Sequence, residues 1–265
     1  MIVEAAPAKL NLALHVRTLR ADGYHELETL FAFVEHGDVV TVEPAEADSF
    51  SMTGAFAAAL AGEGDNLVTR AAASFAQRFR GGAHAITLDK RLPVASGIGG
   101  GSADAAAALR ALGRLHGVPN EAMFDIAEAL GSDVPACLLG KSAIGRGRGE
   151  RLEPVPGRPG TPVLLVNPGV AVSTAEVFRR WDGVDRGPMA LDPLAGRNDL
   201  EAPARQIAPV IGDVLELLAA QPDVTLARMS GSGATCFALF DSEGACEAAA
   251  RSMRPGWWVQ PTRLI

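Results

Sequence analysis

Residues 93–102, PVASGIGGGS, form the segment of this chain best suited to bind phosphate. Gly97 and the glycines at 99–101 have no side chains, so nothing covers their backbone N–H groups. An alanine-rich pattern typical of a helix follows at residues 102–115, with Ser102 as the expected N-cap. Because the first N–H groups of a helix have no partner within it and carry its positive dipole end, they attract anions. The segment therefore predicts a site for a chain of phosphates.

The spacing of these glycines excludes two familiar nucleotide-binding loops. A Walker loop requires a lysine directly after its last glycine, and none follows here. A dinucleotide-binding fingerprint that starts at Gly97 requires a glycine where Ser102 stands. A glycine-rich connector that only turns the chain is the alternative, but the helical pattern that follows favours phosphate binding.

Two other places carry side chains that could act on a phosphate. Residues 8–16, AKLNLALHV, alternate in a way that predicts a strand, with Lys9 and Asn11 on one face roughly 7 Å apart. A lone strand lysine is usually just solvated. Asp133 lies in GSDVP, after a second predicted helix at 120–130, where a capping carboxylate is the ordinary reading.

The rest of the chain predicts a mixed α and β protein. Strand patterns occur at residues 30–34, 38–42, 85–88 and 163–166, and helical patterns at 66–79, 173–181, 200–220 (interrupted near Pro209) and 244–253. Residues 225–240 read as a strand, a glycine-rich turn and a strand. The proline- and glycine-rich segment EPVPGRPGTP at 153–162 predicts a linker, so we expect an N-terminal domain at 1–155 and a C-terminal domain at 156–265.

The composition excludes several classes of protein. A net charge of −7 argues against a nucleic-acid partner, and the 48% hydrophobic content is ample for a core. No apolar run reaches the ~18 residues needed to span a bilayer. The cysteines lack metal-ligand spacing and the N-terminus lacks a signal-peptide pattern, so we expect a cytoplasmic protein without a protein-bound metal.

Three motifs in order resemble those of the GHMP kinase family. They are Pro7-x-Lys9-x-Asn11, the loop at 93–102 and the glycine-rich turn MSGSGA at 229–234. DGYHEL at 22–27, GGGSADAA at 99–106, GSDVP at 131–135 and NDL at 198–200 resemble a branch whose alcohol substrate carries a cytidine diphosphate. The resemblance spans nearly the whole chain. It departs from the common pattern at Ser132, often alanine, and at Asp104, often asparagine.

The resemblance implies a two-domain α/β GHMP kinase fold with the active site in the interdomain cleft, and transfer of the γ-phosphoryl group of ATP to a hydroxyl. Lys9 and Asp133 would be catalytic, Asp133 as general base and Lys9 as the neutralising ammonium. ATP would bind Pro93, Val94, Ala95, Ser96, Gly97, Ile98, Gly99, Gly100, Gly101, Ser102 and Ala103. The substrate would bind Asn11, Tyr24, His25, Phe178, Gly231 and Ser232. Asn198 and Asp199 are better explained as a helix cap, and Mg²⁺ would arrive with ATP.

Two alternatives stay open. The chain could be a GHMP kinase for another small alcohol, of the homoserine or mevalonate type, although the segment at 22–27 argues against this. It could instead be a nucleotide-binding regulator without catalysis, although Lys9 and Asp133 argue against that. We expect small-molecule partners only, no nucleic acid and no membrane, and a monomer or weak homodimer.

Overall fold

The computed structural model describes residues 1–60, 66–190 and 192–265. The chain forms two compact units that alternate along the sequence. The first unit comprises Met1–Ala8, Gly37–Val94 and Gly99–Gly140, and the second comprises Lys9–His36, Ala95–Ile98 and Lys141–Ile265. The expected boundary of an ATP-side and a substrate-side domain near residue 155 stays a prediction.

The strands are β1 (Ile2–Leu19), β2 (His25–Pro44), β3 (Ser49–Thr53), β4 (His84–Asp89), β5 (Ala143–Gly147), β6 (Arg151–Pro154), β7 (Pro162–Asn167), β8 (Val224–Met229), β9 (Cys236–Phe240) and β10 (Trp258–Arg263). The helices are α1 (Leu67–Phe79), α2 (Gly100–His116), α3 (Phe124–Leu130), α4 (Val134–Leu139), α5 (Thr174–Arg179), α6 (Glu201–Ile207), α7 (Val210–Ala219) and α8 (Glu243–Ser252). Short 3₁₀ helices span Ala57–Leu60, Asn120–Met123 and Pro193–Ala195. Within the described residues, none of the helices has the length and apolarity to cross a bilayer.

The first unit packs helices on a small sheet. The C-terminal part of β2 pairs antiparallel with β4, and β4 pairs parallel with β3. Helix α2 packs between α1 and α4. Alanines fill its buried face, which allows close approach of the neighbouring backbones. Asn66 caps α1 by accepting from the N–H of Val68 at 2.8 Å, which confirms the predicted helix there.

The second unit contains an antiparallel sheet in the order β10-β7-β9-β8. The N-terminal part of β2 pairs with β5, and β5 pairs with β6. Apolar side chains of the four-stranded sheet pack with those of α6, α7 and α8 in one core. The predicted break near Pro209 is confirmed, because α6 ends at Ile207 and α7 begins at Val210.

Three local predictions were wrong in extent. The strand predicted at 8–16 runs from Ile2 to Leu19, and the two strands predicted at 30–34 and 38–42 are the single long strand β2. Helix α2 begins at Gly100 with Gly99 as its N-cap, so Ser102 lies inside the helix and does not cap it. Most of the residues that extend β1 beyond 8–16 are exposed or half-buried and add little to a regular apolar face, so the alternation pattern missed them.

Candidate active site

Lys9 is buried in the second unit and held by a chain of hydrogen bonds. Its Nζ donates to Asn11 Oδ1 at 2.8 Å, Asn11 Nδ2 donates to Thr29 Oγ1 at 2.7 Å, and Thr29 Oγ1 donates to the oxygen of Ala13 at 2.7 Å. The exposed fractions of Lys9, Asn11 and Thr29 are 3%, 3% and 1%. The alternative of a solvated strand lysine is therefore wrong. A buried ammonium fixed in this way can stabilise a nearby anion strongly, because little water screens it.

The first half of the glycine-rich loop also belongs to the second unit, where backbone contacts fix it. The N–H of Lys9 donates to the oxygen of Ile98 at 2.9 Å, and the N–H of Thr235 donates to the oxygen of Ser96 at 3.0 Å. Gly97 has a φ of 78°. A Cβ atom there would lie 2.5 Å from the oxygen of Ser230. Only glycine fits this position, both for conformation and for space.

The glycine-rich turn at 230–233 is the partner that holds this half of the loop. Ser230 Oγ donates to the oxygen of Gly97 at 3.0 Å and accepts from the N–H of Asn11 at 3.2 Å. The hydroxyl groups of Ser232 and Thr174 lie 2.8 Å apart. The structure thus brings the loop, the turn and the strand of Lys9 together within the second unit, including the predicted residues Gly231 and Ser232.

The second half of the loop begins helix α2 in the first unit. Gly99 has a φ of 66° and accepts from the N–H of Ala103 at 2.8 Å, which closes the first helical turn. Gly100 would place a Cβ atom 3.0 Å from Lys90 Nζ, so the helix starts directly against this lysine. The first amide groups of a helix are the donors that phosphate oxygens use.

Asp133 directly precedes α4 in the first unit. Its backbone oxygen accepts from the N–H of Cys137 at 3.1 Å. Its side chain makes no capping hydrogen bond to the described residues at the start of that helix. Asp133 therefore stands at the N-cap position that the alternative gave it, but its carboxylate does not make the hydrogen bond of a capping side chain.

Aromatic side chains of the second unit form a separate cluster. His25 stacks on Phe178 with ring centroids 4.8 Å apart, and Trp181 meets His25 edge-on at 5.5 Å. Burial lowers the pKa of His25, so its imidazole is neutral at neutral pH and can both donate and accept. Tyr24 is 53% exposed and lies with its ring 4.9 Å from the guanidinium of Arg148. The structure thus brings His25 and Phe178 together and leaves Tyr24 at the surface.

Leu200 is the N-cap residue of α6, but Asn198 Oδ1 accepts from the N–H of Leu200 at 2.9 Å, so Asn198 caps the turn that enters the helix as the sequence predicted, whereas Asp199 does not. Asn198 Nδ2 also donates to the oxygens of Met229 and Gly231, each at 2.8 Å. Asp199 Oδ2 accepts from the N–H of Val16 at 2.9 Å, and its other oxygen pairs with Arg197. These two residues therefore fix the glycine-rich turn and strand β1 in place.

Three residues that the sequence reading missed belong to these arrangements, namely Thr29, Thr174 and Trp181, and the reading gave no role to the hydroxyl of Ser230. Trp181 could have been found from its spacing, because it follows Phe178 by three residues within the helix that the sequence predicted at 173–181. Thr29 and Ser230 lie 18 and 219 residues from Asn11, and no local pattern in the sequence connects them.

The sequence also matches known proteins over both units. Residues 66–141 match the family model of the GHMP kinases N terminal domain, and residues 186–257 match that of the GHMP kinases C terminal. A 4-diphosphocytidyl-2-C-methyl-D-erythritol kinase of Rhizorhabdus wittichii is 57% identical, over 98% of this chain and 94% of that protein. The chain belongs to the GHMP kinase family. A second GHMP relative of the same name, from Novosphingobium aromaticivorans, is 52% identical over 97% of this chain and 90% of its own length.

Solved structures agree with this family membership. A crystal structure of 4-(cytidine 5'-diphospho)-2C-methyl-D-erythritol kinase superimposes with a TM-score of 0.86 at 36% identity, covering 99% of each chain. Homoserine kinase from Cytophaga hutchinsonii superimposes with a TM-score of 0.71 at 17% identity, over 99% of this chain and 96% of that one, which shows a shared fold alone. The expected α/β GHMP kinase fold is therefore confirmed.

Proposed function

We propose that this chain is an ATP-dependent kinase that phosphorylates the 2-hydroxyl of 4-diphosphocytidyl-2-C-methyl-D-erythritol, in the non-mevalonate route to isoprenoid precursors. The observation that carries the proposal is the identity of 57% and 52% to relatives of that name over nearly the whole chain. Homoserine and mevalonate kinases match at 17% and 12% identity, which supports no transfer of their substrates.

ATP binds with its phosphates on the glycine-rich loop at 93–103 in this proposal. Two observations support this: the backbone of Gly97 is closely enclosed by its neighbours, and α2 starts at Gly100, where glycine leaves the amide groups uncovered by side chains. Mg²⁺ arrives as part of the MgATP substrate, bound to phosphate oxygens. It offsets negative charge on those oxygens, and we assign it no protein ligand.

Phosphoryl transfer needs one base and one cation in this scheme. The substrate oxygen bonds to the γ-phosphorus as the bond from that phosphorus to the bridging oxygen of ADP breaks. Asp133 accepts the proton that the hydroxyl loses. Lys9, held by Asn11 and Thr29, stabilises the negative charge on the transferring group.

The cytidine end of the substrate binds against His25 and Phe178. These rings already stack on each other, and a neutral imidazole can exchange hydrogen bonds with the amide edge of a pyrimidine. Tyr24 at the surface supplies a second aromatic face for the same base. Gly231 and Ser232 contact the diphosphate through backbone and hydroxyl donors.

An assay of ADP release across several acceptors tests the proposal. We expect turnover with the cytidyl-diphosphate methylerythritol and at least about 100-fold lower kcat/KM with homoserine or mevalonate. Preference for either of those alcohols would refute the substrate, and absence of ADP release with all of them would favour a non-catalytic regulator. The uridine analogue of the substrate separates recognition of the base from recognition of the diphosphate.

A further inference from the structure

Three ionisable side chains meet in the interior of the first unit, below the start of α2. Lys90 Nζ lies 2.8 Å from Asp104 Oδ2 and also donates to Asp38 Oδ2. The side chains of Asp38, Lys90 and Asp104 are 0%, 3% and 3% exposed. One ammonium therefore faces two carboxyl groups in a place from which water is excluded.

The two carboxyl groups are not equivalent. Asp38 Oδ1 accepts from the backbone N–H groups of Arg91 at 2.5 Å and Leu92 at 2.8 Å, which stabilises a full negative charge. Asp104 Oδ1 is buried and has no hydrogen-bond partner among the described residues. A second buried anion would have neither its own cation nor its own donors, and such an anion is very costly. The site therefore favours a proton on Asp104.

The position of this cluster ties it to the phosphate loop. Lys90 Nζ would lie 3.0 Å from a Cβ atom on Gly100, the first residue of α2. Asp104 follows Gly100 by about one helical turn, which is roughly 6 Å along the axis. An anion at Asp104 would therefore oppose the phosphates that the first amide groups of α2 attract.

We propose that Asp104 is a positioning residue that stays protonated at neutral pH, so that Lys90 supports the start of α2 without placing an uncompensated negative charge beneath bound ATP. The inference rests on the proposed function in that ATP is the ligand of the loop. The pKa of Asp104 is raised to about 8, because burial, opposed by Lys90 and aided by Asp38, disfavours the charged form. Burial lowers the pKa of Lys90, but the two carboxyl groups more than offset this, so Lys90 stays charged.

The charges close to Asp104 come from this cluster and not from the helices that pack against α2. The other charged residues on the described parts of α1, α3, α4 and the 3₁₀ turn at 120–123, which pack against α2, are all exposed: Arg70, Arg78, Asp125, Glu128 and Glu121. Lys90 and Asp38 are thus the charged groups that face Asp104 from the described elements packed against it.

Replacing Asp104 by its neutral isostere tests the inference. The dissociation constant of MgAMPPNP is measured at pH 7.0 and 9.5 for the wild type, for Asp104→Asn and for the exposed control Asp125→Asn. We expect the constant to rise on the order of tenfold in the wild type and the control, as for a unit charge ~10 Å away at an effective dielectric of ~20. In Asp104→Asn it should rise less than about twofold. Equal ratios in all three proteins would overturn the proposal.

Two measurements on the wild type complete the test. If Asp104→Asn fails to fold, calorimetry of MgAMPPNP binding to the wild type at pH 8.5, in buffers of different ionisation enthalpy, replaces it. Binding should be accompanied by the uptake of about half a proton, and no uptake would refute the inference. If MgAMPPNP does not bind at pH 7.0, the proposed function fails. The inference is then judged by carboxyl ¹³C NMR without nucleotide, where an aspartate titrating between pH 7 and 9 supports it and none refutes it.

Discussion

Gly97 offers the sharpest test of how the phosphate loop is held. In Gly97→Ala the residue keeps a φ of 78°, which costs an alanine about 1–2 kcal/mol. The new Cβ atom would also lie 2.5 Å from the oxygen of Ser230 and 2.6 Å from that of Gly233, so the backbone must shift. That shift weakens the hydrogen bond from Ser230 Oγ, worth about 1 kcal/mol. The free energy of unfolding should fall by about 2–4 kcal/mol.

Gly101→Ala is the matched control. Gly101 lies inside α2, and its Cβ atom would meet Leu67 Cδ1 at an ordinary 3.6 Å. Alanine in a helix is favoured over glycine by up to about 1 kcal/mol, so this variant should be as stable as the wild type or more so. Urea unfolding without nucleotide measures both. Equal stability of Gly97→Ala and wild type, or an equal loss in both variants, would refute the account of the loop.

Three further outcomes follow from the site and its surroundings. Asp133→Asn should lower kcat by about 100-fold or more with little change in ATP affinity, and steady-state kinetics with unchanged kcat would remove Asp133 as the base. Phe178→Ala should raise KM for the cytidyl substrate about tenfold and leave KM for ATP unchanged. Equal changes in both KM values would show that the aromatic cluster does not bind the cytidyl group. His84 Nε2 lies 2.8 Å from His116 Nε2, and burial, then His116, lowers the pKa of His84. Because the unfolded state binds this proton more tightly, stability is complete above pH ~6.5 and falls as the pH drops through the lowered pKa. Urea unfolding at pH 7.5 and 5.0 measures the loss of unfolding free energy between these pH values. The loss should be smaller in His84→Phe than in the wild type, and an equal loss in both proteins would contradict the reasoning.

Local patterns in the sequence found the pieces of the site but not their partners. The phosphate loop can be recognised from the sequence because few other structural elements need glycines at this spacing. The reason for Gly97 lies in Ser230, 133 residues away, which no periodicity reveals. Sequence pattern alone does not separate Lys9 from an ordinary strand lysine, because only the fold places its ammonium between Asn11 and Phe31.

Asp104 shows the limit of such reading most clearly. The helix predicted at 102–115 places Asp104 in its first turn, where a carboxylate suits the helix dipole and should be charged and stabilising. The structure buries the same side chain against Lys90 and leaves one of its oxygens without a partner among the described residues. Because α2 begins at Gly100, Asp104 lies past the first turn, where the dipole contributes at most about 1 kcal/mol, whereas removing a charge from water costs several kcal/mol.

The glycine-rich loop passes from the second unit to the first between Ile98 and Gly99. Each half therefore has different neighbours: the backbone of the turn at 230–233 lies against Gly97, and Lys90 of the Asp38–Lys90–Asp104 cluster lies beside Gly100. Damage to the first support is steric and should act equally at every pH. Damage to the second is electrostatic and should appear only as Asp104 loses its proton. Because the two supports share no residue, Gly97→Ala should weaken MgAMPPNP binding by the same factor in the wild type and in Asp104→Asn, at pH 7.0 and at pH 9.5, and a different factor would refute this separation.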